Sequence, residues 1–155
     1  MKVSSEGITS SKNSAMSTEQ NKATLRRFLQ ELDHHKQVDA VQELCAAGFA
    51  AHLPGSIDPV DREGFKGFIA LFCTAFPDLR HTVEDQIAEG DMVVSRLTVQ
   101  GTHLGDFLGI APTGREITIT DILIARMKEG KAIELWAQFD MPGLLRQLGA
   151  FPPAM

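Results

Sequence analysis

The 155-residue chain carries 15 Lys and Arg against 20 Asp and Glu, a formal charge of −5, its pI is near 5.5, and its basic residues do not cluster beyond Arg26-Arg27. That balance leaves no electrostatic footprint for nucleic acid or for an anionic membrane. The length suits one domain that buries roughly two-thirds of its unfolded surface, and no apolar run is long enough to span a bilayer, so a cytoplasmic enzyme or binding protein is expected.

In chain order, residues 1–16 are polar and Ser-rich, lack the apolar core of a signal peptide, and read as a flexible leader before a single domain at 17–150, with 151–155 as a tail. Ser17 with Gln20 makes a capping-box pattern, and Leu25, Phe28, Leu29 and Leu32 recur at helical spacing, which predicts a helix ending near His34-His35-Lys36. Those two histidines read as solvated residues favourable to the helix dipole. Val38 to Leu44 predicts a short second helix, and Gly48 to Leu53 an extended piece carrying His52 into the turn Pro54-Gly55. At the end of an element, His52 is open to either a structural or a pocket role. Asp61 to Phe76 predicts a third helix that puts Phe65, Phe68, Ile69, Phe72 and Phe76 on one face and stops at Pro77. That aromatic stripe is core first, with Phe68 and Phe72 as candidate pocket wall. Cys45 and Cys73, the two cysteines, sit in apolar, helix-like stretches, which favours buried thiols over a disulfide or a metal site.

Leu79 to Ala88 and Met92 to Thr102 predict two strands joined at Glu89-Gly90-Asp91. With a three-residue loop Arg96 lies opposite Glu84, so a cross-strand ion pair is the structural account of this arginine and substrate binding its functional one. After the Gly-punctuated loop GTHLGDFLGIAPTG come two more strands. From Ile117, one side of the first collects Ile117, Ile119, Asp121, Leu123 and Ala125, and a lone carboxylate in such a row needs a reason. The next strand offers Ile133, Leu135, Ala137 and Phe139 on one side. A three-residue turn at Lys128-Glu129-Gly130 sets Asp121 opposite Ala137; a two-residue Glu129-Gly130 turn sets it opposite Gln138. The first is preferred because it gathers both apolar sides onto one surface. Met141 to Leu148 predicts a short final helix before Gly149. The fold class expected is α+β: three N-terminal helices against a strongly curved four-stranded antiparallel sheet, a short C-terminal helix, and an apolar pocket between the layers.

The stretches GTHLGDFLGIAPTG, REITITDILIARMKEGKAIELWAQFD and LLRQLG, with FPDL at Phe76 to Leu79 and His52 before Pro54, resemble the SnoaL-like polyketide cyclases over about residues 17 to 150. The resemblance implies a nuclear transport factor 2-like cone, a homodimer, and a cofactor-free intramolecular aldol closure of an aromatic polyketide ester. It also implies an aspartate just after the position of Trp136 and a histidine at the position of Leu123. Here Ala137 and Leu123 stand at those places, and Asp121, on the neighbouring strand, is the candidate for a relocated base.

Three functional readings follow. In the leading one Asp121, desolvated by Ile119, Leu123 and Leu135 and so raised in pKa, moves a proton on a small apolar or aromatic carbonyl substrate in a cyclisation or isomerisation. His52 then polarises a carbonyl, and Arg96, Phe68, Phe72, Leu123, Leu135 and Ala137 contact the substrate, with neither metal nor cofactor. The second is epoxide hydrolysis as in the limonene-epoxide hydrolases, which needs Arg96 and another acid beside Asp121. The third is a non-catalytic ligand-binding module. A homodimer is expected through the outer sheet face, where Ile122, Ile124 and Trp136 gather.

Overall fold

The computed structural model describes residues 16–34 and 37–150; the expected leader up to residue 15, His35, Lys36 and the tail at 151–155 lie outside them. Among the described residues are four helices and a five-stranded sheet: α1 (Thr18–Asp33), α2 (Gln37–Leu44), β1 (Cys45–His52), α3 (Arg62–Ala75), β2 (Arg80–Glu89), β3 (Met92–Thr102), β4 (Glu116–Lys128), β5 (Lys131–Phe139) and α4 (Met141–Gln147). The α+β class stands, while the strand count rises from four to five, because the extended piece before Leu53 starts at Cys45 and pairs in parallel with β5. The sheet order is β1-β5-β4-β3-β2. The chain thus returns after β4 to slot β5 between its first and fourth strands.

Local chemistry explains the helices. Ser17 caps α1 reciprocally with Gln20, satisfying two otherwise orphaned amides, and Leu25, Phe28, Leu29 and Leu32 form its buried stripe. Asp61 caps α3 by accepting from the Gly64 amide at 2.9 Å, and Asp140 does the same for α4 through the Gly143 amide. The α3 stripe builds an aromatic row: Phe65, Phe68, Phe72 and Phe76 stand 5.0 to 6.4 Å apart in sequence. Helix α1 packs on β2 and β3, and α3 on β1 and α2, so both helices cover one face of the sheet. No helix among the described residues is long and apolar enough to cross a membrane.

The sheet register corrects the hairpin expectation and explains why the facing survives. Lys128 pairs with Lys131, and Glu129 and Gly130 both have positive φ (52° and 78°), the signature of a two-residue type I′ turn. Met127 then pairs with Ala132 but Arg126 with Glu134, so Ile133 is an extra, bulged residue. A two-residue turn alone would have turned Asp121 toward the opposite parity of β5. The bulge restores it: Asp121 opposes Phe139, and Leu123 opposes Ala137. Asp121 therefore shares a face with Ala137 as expected but sits two positions further along. A similar irregularity at Glu84 in β2 places Arg96 opposite Asp85 instead of Glu84.

The 103–115 segment is tied down tightly. His103 is fully buried, its Nδ1 accepting from the Thr113 amide at 3.1 Å, and the amides of Leu104 and Gly105 both donate to the Ala75 carbonyl at the end of α3. Phe107 is wholly buried against Phe72 and Phe76, at 5.2 and 5.6 Å. A Cβ on Gly105 would lie only 2.2 Å from the Thr74 carbonyl oxygen, a backbone atom that cannot swing away. Gly105→Ala should therefore lower stability by about 1–3 kcal/mol; urea unfolding measures it, and an unchanged midpoint would show that this segment docks less closely than described.

Candidate active site

The inner face of the sheet and the two long helices enclose a cavity of about 650 Å³, counting its open mouth. From α1 it takes Phe28, Leu29 and Leu32, and from α3 Phe65, Phe68, Ile69, Phe72 and Cys73. The sheet contributes His81 from β2, Leu97 and Val99 from β3, Ile119, Asp121 and Leu123 from β4, and Ala137 and Phe139 from β5. Among the described residues, only Asp121, His81 and the Cys73 thiol interrupt an otherwise hydrocarbon lining, the form expected of a small-molecule site. The chain has no tyrosine, so no phenol competes with these groups.

Asp121 stands on the wall beneath Phe139, its strand partner. Its Oδ1 is buried and has no hydrogen-bond partner among the described residues. Burial pushes its carboxyl up from 3.8 to about 6, while the nearby His81 charge and the Ile122 amide pull the other way without prevailing. A carboxyl raised by burial, in a cleft and with one oxygen unpartnered, marks a candidate functional site.

His81 is the second polar group, and it is fastened from behind. Asp33, the last residue of α1, receives the His81 backbone N–H on Oδ2 at 3.0 Å and meets the ring Nδ1 with Oδ1 at 2.7 Å. Both side chains are largely buried, at 10% and 15% exposure. Sequence reasoning missed this pair. Half of the signal was present, because Leu79, His81 and Val83 alternate as Ile119, Asp121 and Leu123 do. The other half, Asp33, lies 48 residues away and depends on how α1 docks against β2.

Of the expected site residues, Asp121, Phe68, Phe72, Leu123 and Ala137 meet in the cavity. The two positions where the resemblance implies a histidine and an aspartate, Leu123 and Ala137, are directly opposed across β4 and β5, one inner-face pair away from Asp121. Three expected residues lie elsewhere. His52 pairs in register with Trp136, stacks on its ring at 5.1 Å and meets Glu134 Oε2 through Nε2 at 2.8 Å; β1 ends there with His52 on the outer side, because Ala51 takes the buried parity. Arg96 forms an ion pair with Asp85 at 2.6 Å, both half-exposed, which is its structural account, and the hydrolase reading loses its arginine. Leu135 is fully buried but opposes Ala125, nearer the turn than the cavity. Cys45 and Cys73 form no disulfide, and burial pushes the Cys45 thiol up to about 12, so it stays an inert core group.

His52→Gln should leave kcat/KM within about twofold of wild type, since a change on the outer face costs the transition state little. Steady-state kinetics on any substrate found for the protein decides it, and a loss of a hundredfold would return His52 to the site.

Comparison with known proteins bears on the family and the fold. A model of the SnoaL-like polyketide cyclase family matches residues 23–148. Aklanonic acid methyl ester cyclase DnrD of Streptomyces peucetius is 28% identical over 130 residues, covering 81% of this chain and 88% of DnrD. Among solved structures, IdmH, a proposed polyketide cyclase of Streptomyces antibioticus, is 31% identical with a TM-score of 0.74, covering 83% of this chain and 98% of its own. AclR, a proposed hydroxylase of Streptomyces galilaeus, is 26% identical with a TM-score of 0.81, covering 90% and 91%. The nuclear transport factor 2-like α+β fold is therefore shared with these proteins.

Proposed function

Because the chain belongs to the SnoaL-like polyketide cyclase family, whose members support a small-molecule cyclase or isomerase role, we propose that it catalyses a cofactor-free, acid–base ring closure or isomerisation of a largely apolar aromatic carbonyl compound. The observation that carries this reading is Asp121: a carboxyl with a buried, unpartnered oxygen, raised to about 6, in a cavity of phenylalanine and aliphatic side chains. Near neutral pH such a group is ionised often enough to take a proton and basic enough to hold it. In an aldol closure, Asp121 removes a proton from the carbon beside a carbonyl and passes it to His81 Nε2, and the imidazolium so formed stabilises the oxygen on which negative charge collects. The new carbon–carbon bond then forms at a second carbonyl, and the proton passes from His81 Nε2 to the alkoxide, so the Asp121 carboxylate and the neutral His81 ring are regenerated with no net proton or electron change. The phenylalanine row of α3 together with Phe139 of β5 suits a planar ring system with its polar edge toward Asp121 and His81.

The reading is tested by incubating the protein with aklanonic acid methyl ester and simple aromatic β-ketoesters and following ring closure by mass-neutral chromatographic shift and absorbance. Incorporation of oxygen-18 from water into product would show hydrolysis instead, and absence of any turnover with saturable binding would leave a ligand-binding module. The same proposal includes a homodimer through the outer sheet face, where Ile122 is 46% exposed beside Ile124 and Trp136; a monomer by light scattering at micromolar concentration would overturn that part.

A further inference from the structure

We infer that Asp33 is a positioning residue that sets the tautomer of His81, holding the proton of the neutral ring on Nδ1 and leaving Nε2 as the proton-accepting atom available to the cavity. This rests on the reading of Asp121 and His81 as the acid–base pair and adds a third member from a different element. The geometry behind it is the two-point hold on one carboxylate. Backbone N–H groups can only donate, so the 3.0 Å contact from the His81 amide occupies Asp33 Oδ2 as an acceptor. The second oxygen, Oδ1, is 2.7 Å from Nδ1 and, as a carboxylate oxygen, also accepts. A neutral imidazole has one N–H and one lone pair, so the N–H must be on Nδ1 and the lone pair on Nε2. The pair is shielded on both sides, with the imidazole 10% and the carboxylate 15% exposed, which keeps water from competing for either bond. Chain connectivity tightens the arrangement further: because the backbone and the ring of the same residue hold one carboxylate, the imidazole cannot turn without breaking its contact to α1.

The charged and titratable groups facing His81 are Asp33 from α1 and Asp121 from β4, with the Cys73 thiol from α3 lining the same cavity. Asp121 and His81 line the same cavity, so on this reading a proton taken from substrate by Asp121 has an acceptor in Nε2, while the Nδ1 proton stays with Asp33, and the reverse transfer returns it.

Asp33→Asn gives a directed test, because the His81 backbone N–H admits only the side-chain oxygen of the substituted residue at its position. The side-chain NH2 must then face Nδ1, which makes Nδ1 the acceptor and drives the ring proton to Nε2. Long-range proton–nitrogen correlation spectra of ring-labelled protein, recorded where the imidazole is neutral, should show an Nδ1–H ring for His81 in the wild type and an Nε2–H ring in the variant. With aklanonic acid methyl ester as probe, turnover of the variant should fall about 10²–10⁴-fold, while His52→Gln is unaffected. An Nε2–H ring in the wild type, the same tautomer in both proteins, or a switched tautomer with undiminished turnover would each overturn the inference. If the variant does not fold, the wild-type spectrum alone decides. If the wild type does not turn over the probe, it is the proposed reaction that fails, and the two spectra still decide the part played by Asp33.

Discussion

Asp121→Asn is expected to cut turnover about 10²–10⁴-fold and, at neutral pH, to make the protein more stable. The sign follows from the direction of the shift. Folding raises the carboxyl from 3.8 to about 6, so the folded state holds this proton more tightly than the unfolded chain. The favourable contribution is fully present below about pH 4 and is lost as the pH rises through about 6. Roughly two units at 1.36 kcal/mol each amount to about 3 kcal/mol of cost once the group is ionised in the cavity. An asparagine of the same shape never ionises, so the variant should match the wild type near pH 3.5, gain through the window from 4 to 6, and hold a plateau of about 2–3 kcal/mol above 7. Urea titrations of both proteins across this range measure the effect, because the two proteins differ only at residue 121. A variant less stable than wild type at pH 7 would mean that the carboxylate is held by a donor and serves the fold.

The second large effect is expected from Phe107→Ala, a loss of about 3–5 kcal/mol. Phe107 is completely buried between Phe72 and Phe76, so truncation leaves a void that the neighbouring backbone cannot fill: the segment is held at Leu104 and Gly105 by the Ala75 carbonyl. The same void opens behind Phe72, which lines the cavity, so KM should rise as well. Leu108, the next residue, is 60% exposed, and Leu108→Ala serves as the control, with a change within about 0.5 kcal/mol. A loss under about 1 kcal/mol for Phe107→Ala would show that the ring contributes surface cover and little packing.

What could be read from the residues alone was whatever depends on neighbours a few positions apart. Capping box and i, i+3, i+4 spacing determined α1, and the aromatic stripe with its stop at Pro77 determined α3. Alternation identified Asp121 as the one charge on an inner face, and that conclusion withstood an error in the turn. Facing depends only on whether the register is shifted by an odd or an even number, and the Ile133 bulge cancelled the odd shift of the two-residue turn. The tertiary structure alone decided which residues meet. His52 looked outward once β1 joined the sheet beside β5 and Ala51 claimed the buried side; Arg96 found Asp85 because β2 carries an irregularity at Glu84; Phe107, in a Gly-punctuated loop, became core. Asp33 and His81 are joined across 48 residues by the docking of α1 on β2. Local periodicity specifies the face of each element, but the partner across a gap is chosen by turn geometry, bulges and the packing of whole elements, and none of these is encoded within the reach of a single helical turn or strand pair.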